Sequence, residues 1–398
     1  LVGSEMCMSD RYDIDTKINY ELLKNQINQI KKKEEGQNKE NDDNKNDQNQ
    51  KNQEQSNKKD GKDNQENESN SGQDKNEKNE RDKKEMAEKN SNDQDEDYDG
   101  SIVFKNYVES ASNGKIAVEL FVGTQLCSKG AECLQGVSDG SIDIYISTSG
   151  GAAGVFPYVQ VLDLPYLMSD DRIAEDVLKS DFVRTMRKMA LQDSNNSIRL
   201  MTIGNTGGWR NFANTKRQIA NPSDMKGLKI RTVVADLPQE LVRALGASPT
   251  PIPWPELFTS FQTGVVEGSK NGITDIMNMK FPDAGLQYVT LDGHAYMGAL
   301  WWMNNAKFKS MPKSLRQVVV DGFVALQQAT FASPKRKSIK AYEDFVAGGG
   351  NLYVPTPAQK ASFKKAAAPV YKWFKANVKN GTVVFNALNY AVAKAEAD

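Results

Sequence analysis

Histidine is all but missing from this chain: His294 is the only one in 398 residues. A Ser-His or Cys-His dyad would have to use it, and no serine stands in a G-x-S-x-G elbow that would expose a nucleophile. Cysteine is nearly as scarce, with Cys7, Cys127 and Cys133. No second Cys or His pair completes four ligands, which argues against structural zinc, and no metal is expected. Neither G-x-G-x-x-G nor G-x-x-x-x-G-K-[ST] occurs, so the common dinucleotide and nucleoside triphosphate signatures are missing and no cofactor is expected. No window reaches the roughly 18 to 20 apolar residues of a membrane-spanning helix, and residues 1–10 lack the basic end and apolar stretch of a signal peptide. The chain is therefore expected to be soluble as given.

What is present divides in two. The whole chain has 51 Lys and Arg against 52 Asp and Glu, but the first hundred residues hold 18 of those bases and 27 of the acids, leaving residues 101–398 at a net +8. Between residues 31 and 97 the only hydrophobic residues are Met86 and Ala87, while Asn and Gln fill 22 of 67 positions. Nothing there offsets the ordering entropy of a core, so residues 1–100 read as a largely disordered, low-complexity tail. In the body the basic residues are scattered and not interleaved with aromatics, so no nucleic-acid partner is expected. The body's 25 acids show no spacing that singles out a catalytic pair.

Along the body, helices and strands alternate. Residues 103–112 read as an amphipathic helix ended by Asn113 and Gly114, and residues 115–122 as a strand with Ile116, Val118 and Leu120 on one side. A short helix over 131–137 stops near Gly140. Ile142, Ile144 and Ile146 then alternate into a Gly/Ser loop, residues 147–154, where Ser149 and Gly150 are candidates for contact with a ligand. The glycines serve a tight connection equally well. A long helix is expected over 172–192, a strand over 198–203, a turn at 204–208, a strand over 228–232 ending in Arg231, and a helix over 237–245 capped by Gly246. For Cys127 and Cys133 a local disulfide stays open. The favoured reading is two buried residues on different faces of one helix, unless that helix starts after Cys127.

The runs Pro222-Ser-Asp-Met-Lys-Gly-Leu-Lys-Ile-Arg231, Leu245-Gly-Ala-Ser-Pro-Thr-Pro251 and Glu256-Leu-Phe-Thr-Ser-Phe-Gln-Thr-Gly-Val-Val-Glu-Gly268 resemble the DctP-type solute-binding proteins of tripartite ATP-independent periplasmic (TRAP) transporters. Asn113-Gly-Lys-Ile, Val161-Leu-Asp-Leu-Pro-Tyr-Leu, Trp209-Arg210 and Asp292-Gly-His-Ala-Tyr296 extend the resemblance over residues 101–398. It implies an α/β, two-lobed periplasmic-binding-protein-like fold with crossing strands and a long C-terminal helix. Residues 101–207 and 296–335 would form one lobe, and 208–295 and 336–398 the other. It also implies a monomeric periplasmic protein, not an enzyme, that captures a small organic acid and hands it to a membrane permease.

In this resemblance Arg231 holds the ligand carboxylate, Arg210 assists, and Asn271 contributes an amide. A planar guanidinium suits a carboxylate because it forms two parallel charge-assisted bonds and keeps its charge. Lys270-Asn271-Gly272 departs from the family's Glu-Asn-Pro, replacing an acid by a cation and loosening the turn. The family's first strand has no counterpart in residues 93–100; Tyr12, Ile14, Ile18 and Tyr20 alternate weakly, but residues 20–30 read better as a helix. Trp209 and Trp254 are the aromatic candidates for the pocket wall, with Phe212 and Tyr296 behind them. Trp301 and Trp302 are adjacent on a strand, so at most one faces a ligand. Two other classes remain open: a hydrolase or lyase, which would need an acid, base or nucleophile near Arg231, and an interaction protein acting through its tail, with the body an incomplete binding domain.

Overall fold

The computed structural model describes residues 96–397. The disordered-tail reading of residues 1–95 and the alternation from Tyr12 to Tyr20 lie outside the described residues. Helix α1 (Glu96–Ala111) begins before residue 103, so residues 96–100, expected in the tail, belong to the folded body. The reason is tertiary. Asp99 is bound by Lys337 at 2.9 Å and accepts from the Ser333 hydroxyl, which ties a polar first turn to a helix far along the chain.

Among the described residues seven strands form one mixed sheet. Its order is β1 (Ile144–Thr148), β6 (Tyr288–Asn304), β2 (Ile198–Asn214), β5 (Gly268–Asn271), β3 (Lys229–Thr232) and β4 (Ser248–Pro251), with β7 (Asn351–Tyr353) pairing with β6 off that path. β1, β6, β2 and β5 are successively antiparallel, whereas β5, β3 and β4 run parallel. The 17-residue strands β2 and β6 run the length of the sheet and join its two ends. The expected turn at 204–208 therefore does not reverse the chain. Asn205 pairs with Gly298 and Trp209 with Tyr296, so three residues of β2 face one of β6, and Gly207 and Gly208 take left-handed φ of 70° and 75° to absorb the excess.

Other expectations are corrected locally. The helix expected over 172–192 is two helices, because extended Ser180 ends Asp171–Lys179 and its side chain caps Asp181–Asp193 by accepting from the Phe182 N–H. The Gly/Ser loop contains a helical turn, Ser149–Ala152, capped by the Thr148 side chain accepting from the Gly151 N–H. Residues 115–122 keep the predicted alternation of half-buried and exposed side chains but form no strand. A strand needs a ladder partner, and among the described residues the edge of β1 away from β6 carries none. Cys127 and Cys133 form a disulfide with a Cα separation of 5.4 Å. Helix α2 (Gly130–Asp139) holds Cys133 but starts after Cys127, so the favoured reading of two residues on one helix gives way to the disulfide.

The adjacent tryptophans show how the sheet divides the core. Trp302 stacks on Phe156 at 4.8 Å in the larger apolar cluster, whereas Trp301 belongs to a smaller one with Phe104, Phe323 and Met303. The smaller cluster is closed by a 35-residue helix, α3 (Lys313–Ala347), which lies along α1 and β2. At 1.5 Å per residue such a helix is about 50 Å long, and it packs on β2 and β7 of the sheet. Among the described residues no helix is long and apolar enough to cross a membrane.

Candidate ligand-binding site

Where the parallel strands end beside β2, three cations are brought together. Arg231 closes on the carboxyl side of β3 and is 3% exposed. Its Nε donates to the Ile252 carbonyl at 2.9 Å, and its guanidinium carbon lies 5.6 Å from the Trp254 ring centroid. Among the described residues no acid lies within ion-pair distance of it, and its two terminal nitrogens donate to nothing. Burial, with the Arg210 charge adding, works against its charged form, while Asp275 favours it. Arg210, 6% exposed, donates from Nη1 to the Lys270 carbonyl at 3.1 Å and sits 3.5 Å from Asp163. Asp163 in turn accepts from the Ser149 hydroxyl at 2.5 Å, linking the helical turn after β1 to Arg210.

Lys270 is as buried as Arg210, at 6%. Its amine reaches only the Pro238 carbonyl, at 3.5 Å. Burial first, and Arg210 next, push it down to about 7, with Asp163 and Asp292 opposing. Asn271 donates to Asp275 at 3.2 Å, yet its side-chain oxygen is buried with no partner, as are the hydroxyls of Thr232, Ser269 and Thr274. Burial raises the Asp275 carboxyl despite that hydrogen bond.

The nearby acids are engaged. Asp292 accepts from the Phe212 N–H at 3.0 Å and from Tyr166 at 2.9 Å, and lies 2.8 Å from His294. Asp163 accepts from Ser149 through Oδ2, while its Oδ1 forms a 3.5 Å ion pair with Arg210 but accepts no hydrogen bond. The cluster therefore offers a small anion two cationic groups whose donors have little protein to bind, surrounded by unmatched hydroxyl and amide oxygens.

The sequence-derived candidates fall into three places. Arg210, Arg231, Asn271, Trp254, Ser149 and Gly150 belong to or border this cluster. Gly150 packs on Val233, directly after β3, where an added Cβ would overlap the valine side chain. Phe212 stacks on His294 at 4.6 Å inside the larger core. Trp209 and Tyr296 meet edge to face at 5.2 Å and line a different cavity of about 70 Å³ with Asp171, Phe331, Pro334 and Tyr342. There the Trp209 N–H donates to Asp171 at 2.8 Å. Sequence reasoning missed Asp163 and Asp275. An acid inside the apolar run Val161-Leu-Asp-Leu was a signal for the first, whereas nothing local marked the second.

Gly272 is a matter of close approach, not of a looser turn. Its φ of −71° suits proline, but any Cβ would overlap the Gly207 carbonyl oxygen where β2 bends. Gly272→Ala should lower stability by about 1–3 kcal/mol, as overpacking against backbone does. Urea unfolding checks this; a change within about 0.5 kcal/mol would show that the crossing relaxes.

Comparison with known proteins fits this architecture. A 30% identical solute-binding protein from Verminephrobacter eiseniae aligns over 272 residues, 68% of this chain and 79% of its own length. The 2,3-diketo-L-gulonate-binding periplasmic protein YiaO of Escherichia coli is 28% identical over 54% of this chain and 64% of its own. The sugar acid binding protein DctPAm of Advenella mimigardefordensis, crystallised with galactonate, superposes with a TM-score of 0.70 over 76% of this chain and 95% of its own, at 22% identity. The family model for bacterial extracellular solute-binding protein family 7, DctP, matches residues 86–377. With the α/β fold and the order of its motifs, that match makes the chain a member of the DctP family of solute-binding proteins.

Proposed function

We propose that this protein works outside the cytoplasm as a monomer, captures a small organic carboxylate, and delivers it to the membrane subunits of a TRAP transporter. The observation that carries the reading is Arg231, a buried guanidinium with unfilled donors and, among the described residues, no acid at ion-pair distance. A carboxylate accepting from both terminal nitrogens would supply the missing charge in the geometry a guanidinium favours. Arg210 and Asn271 would then hold the same ligand. Two similar proteins, one named for 2,3-diketo-L-gulonate and one crystallised with galactonate, point to sugar acids as the class to test first. Such binding needs no acid, base or nucleophile.

In the conformation described, Arg231 is buried at 3% exposure, so ligand entry needs the lobes to part. The Gly150 contact with Val233 and the Leu237 N–H donated to Gln160 at 2.9 Å are among those that must part on opening. Residues 101–207 with 296–335, and 208–295 with 336–398, would act as the two lobes, and ligand favours closure through its higher affinity for the closed state. The test is thermal shift of the full chain against a panel of sugar acids and other small carboxylates, followed by small-angle scattering with the best of them. Ligand should raise the melting temperature and lower the radius of gyration, and both effects should vanish in Arg231→Ala. A panel with no stabilising acid, or one whose effect survives in the variant, overturns the reading.

A further inference from the structure

Among the described residues, Lys270 is a buried cation with no carboxylate at ion-pair distance. It lies on β5 next to Asn271, is almost wholly buried, and its amine has a single long contact, with the Pro238 carbonyl. Lysine in such a place ordinarily has a carboxylate at ion-pair distance, because removing an ammonium from water costs several kcal/mol. Here the candidates are already engaged. Asp163 is held by Ser149 and Arg210, and Asp292 by the Phe212 N–H, Tyr166 and His294. The surrounding charge makes the burial harder still, since Arg210 and Arg231 both act on the amine. The position is also where this chain inverts the charge of the motif it otherwise resembles, with Lys270-Asn271 in place of Glu-Asn.

A buried ammonium without a protein counter-ion, beside a buried guanidinium without one, is complementary to a ligand that carries two negative charges. We propose that Lys270 is a second anion anchor beside Arg231, so that the cleft selects small diacids over monoacids of the same skeleton. This rests on the carboxylate-binding reading above and adds its specificity. The chemistry is bonding only. One carboxylate takes the Arg231 fork, and the other accepts from the Lys270 amine, whose three donors make no demand for planarity. A monoacid of the same skeleton ends in a hydroxyl or a methyl group at that point and leaves the ammonium uncompensated.

The experiment uses matched pairs with the full chain in calorimetry: galactarate against galactonate, and malate against 2-hydroxybutyrate. Each pair differs chiefly in whether the far end is a carboxylate. The parent protein should bind at least one diacid about 10- to 100-fold more tightly than its partner, the worth of one charge-assisted hydrogen bond in a dry site. Lys270→Gln should remove that preference by weakening the diacid, with the monoacid changed less than about threefold. Retained monoacid binding also shows that the variant is folded. Monoacids bound as tightly as diacids by the parent, or a Lys270→Gln loss equal for both members of a pair, overturns the proposal. If monoacids bind through Arg231 and diacids bind no better, only the role of Lys270 falls. If no acid binds, or binding ignores Arg231→Ala, the carboxylate reading falls with it.

Discussion

Arg231→Ala lowers affinity for a bound carboxylate by roughly 30-fold to several thousand-fold, and Arg231→Lys lowers it less. The range follows from the roughly 2–5 kcal/mol typical of truncating one partner of a buried, hydrogen-bonded charge pair. Two features put this residue toward the upper end. It is 3% exposed, so water cannot replace the lost donors, and Trp254 forms one wall beside the guanidinium. Lysine keeps the charge but loses the fork, and its tetrahedral ammonium cannot make two parallel bonds to one carboxylate. Calorimetry on the parent and both variants checks the order. Binding by Arg231→Ala within about threefold of the parent, a loss under about 1 kcal/mol, would remove Arg231 from the site.

Lys270→Met makes the ligand-free protein more stable at neutral pH, by up to a few kcal/mol. The folded amine is pushed from 10.5 down to about 7, first by burial and then by Arg210, with Arg231 adding and Asp163 and Asp292 opposing. Between about pH 7 and 10.5 the unfolded lysine holds a proton that the folded one has largely released. The unfolded state therefore binds more protons, and stability rises with pH across that window, by at most about 1.4 kcal/mol per unit. Below pH 7 both forms are charged and the whole penalty is present. Arg231 and Asp275 titrate abnormally in the same cluster, so the readout is the difference between parent and variant: the parent's stability should approach that of Lys270→Met as pH rises from 7 to 9.5. A constant difference, or a parent more stable at pH 7, would show that the amine is compensated in the folded protein. The same charge that weakens the ligand-free state is the one available to a second carboxylate, an exchange of stability for binding that is common at functional sites.

Much of the local structure was legible in the sequence because it depends on near neighbours. Gly140 and Gly246 end their helices with φ of 88° each, as a left-handed C-terminal residue requires. The alternation of Trp301 and Trp302 put them on opposite faces of β6, and both are buried because each face of the sheet is covered. Other elements were misread where a local signal met a long-range one. The glycines at 204–208 resemble a turn, but the pairing of β2 with β6 carries the strand through them. The alternation at 116–120 resembles a strand, but no strand pairs with it among the described residues.

The sequence alone determined most of the periodicities, the glycine-capped helix ends at Gly140 and Gly246, the ordered series of motifs that marks the family, and the residue types able to hold a carboxylate. Only the tertiary structure decided which charges meet and which have partners. Asp163 joins Ser149 to Arg210, Asp292 joins Tyr166 to the Phe212 backbone, and those contacts hold the two acids that act on Lys270 away from ion-pair distance of its amine. Hydrogen-bond geometry and desolvation act through space between residues tens to more than a hundred positions apart, so no pattern of spacing along the chain records them.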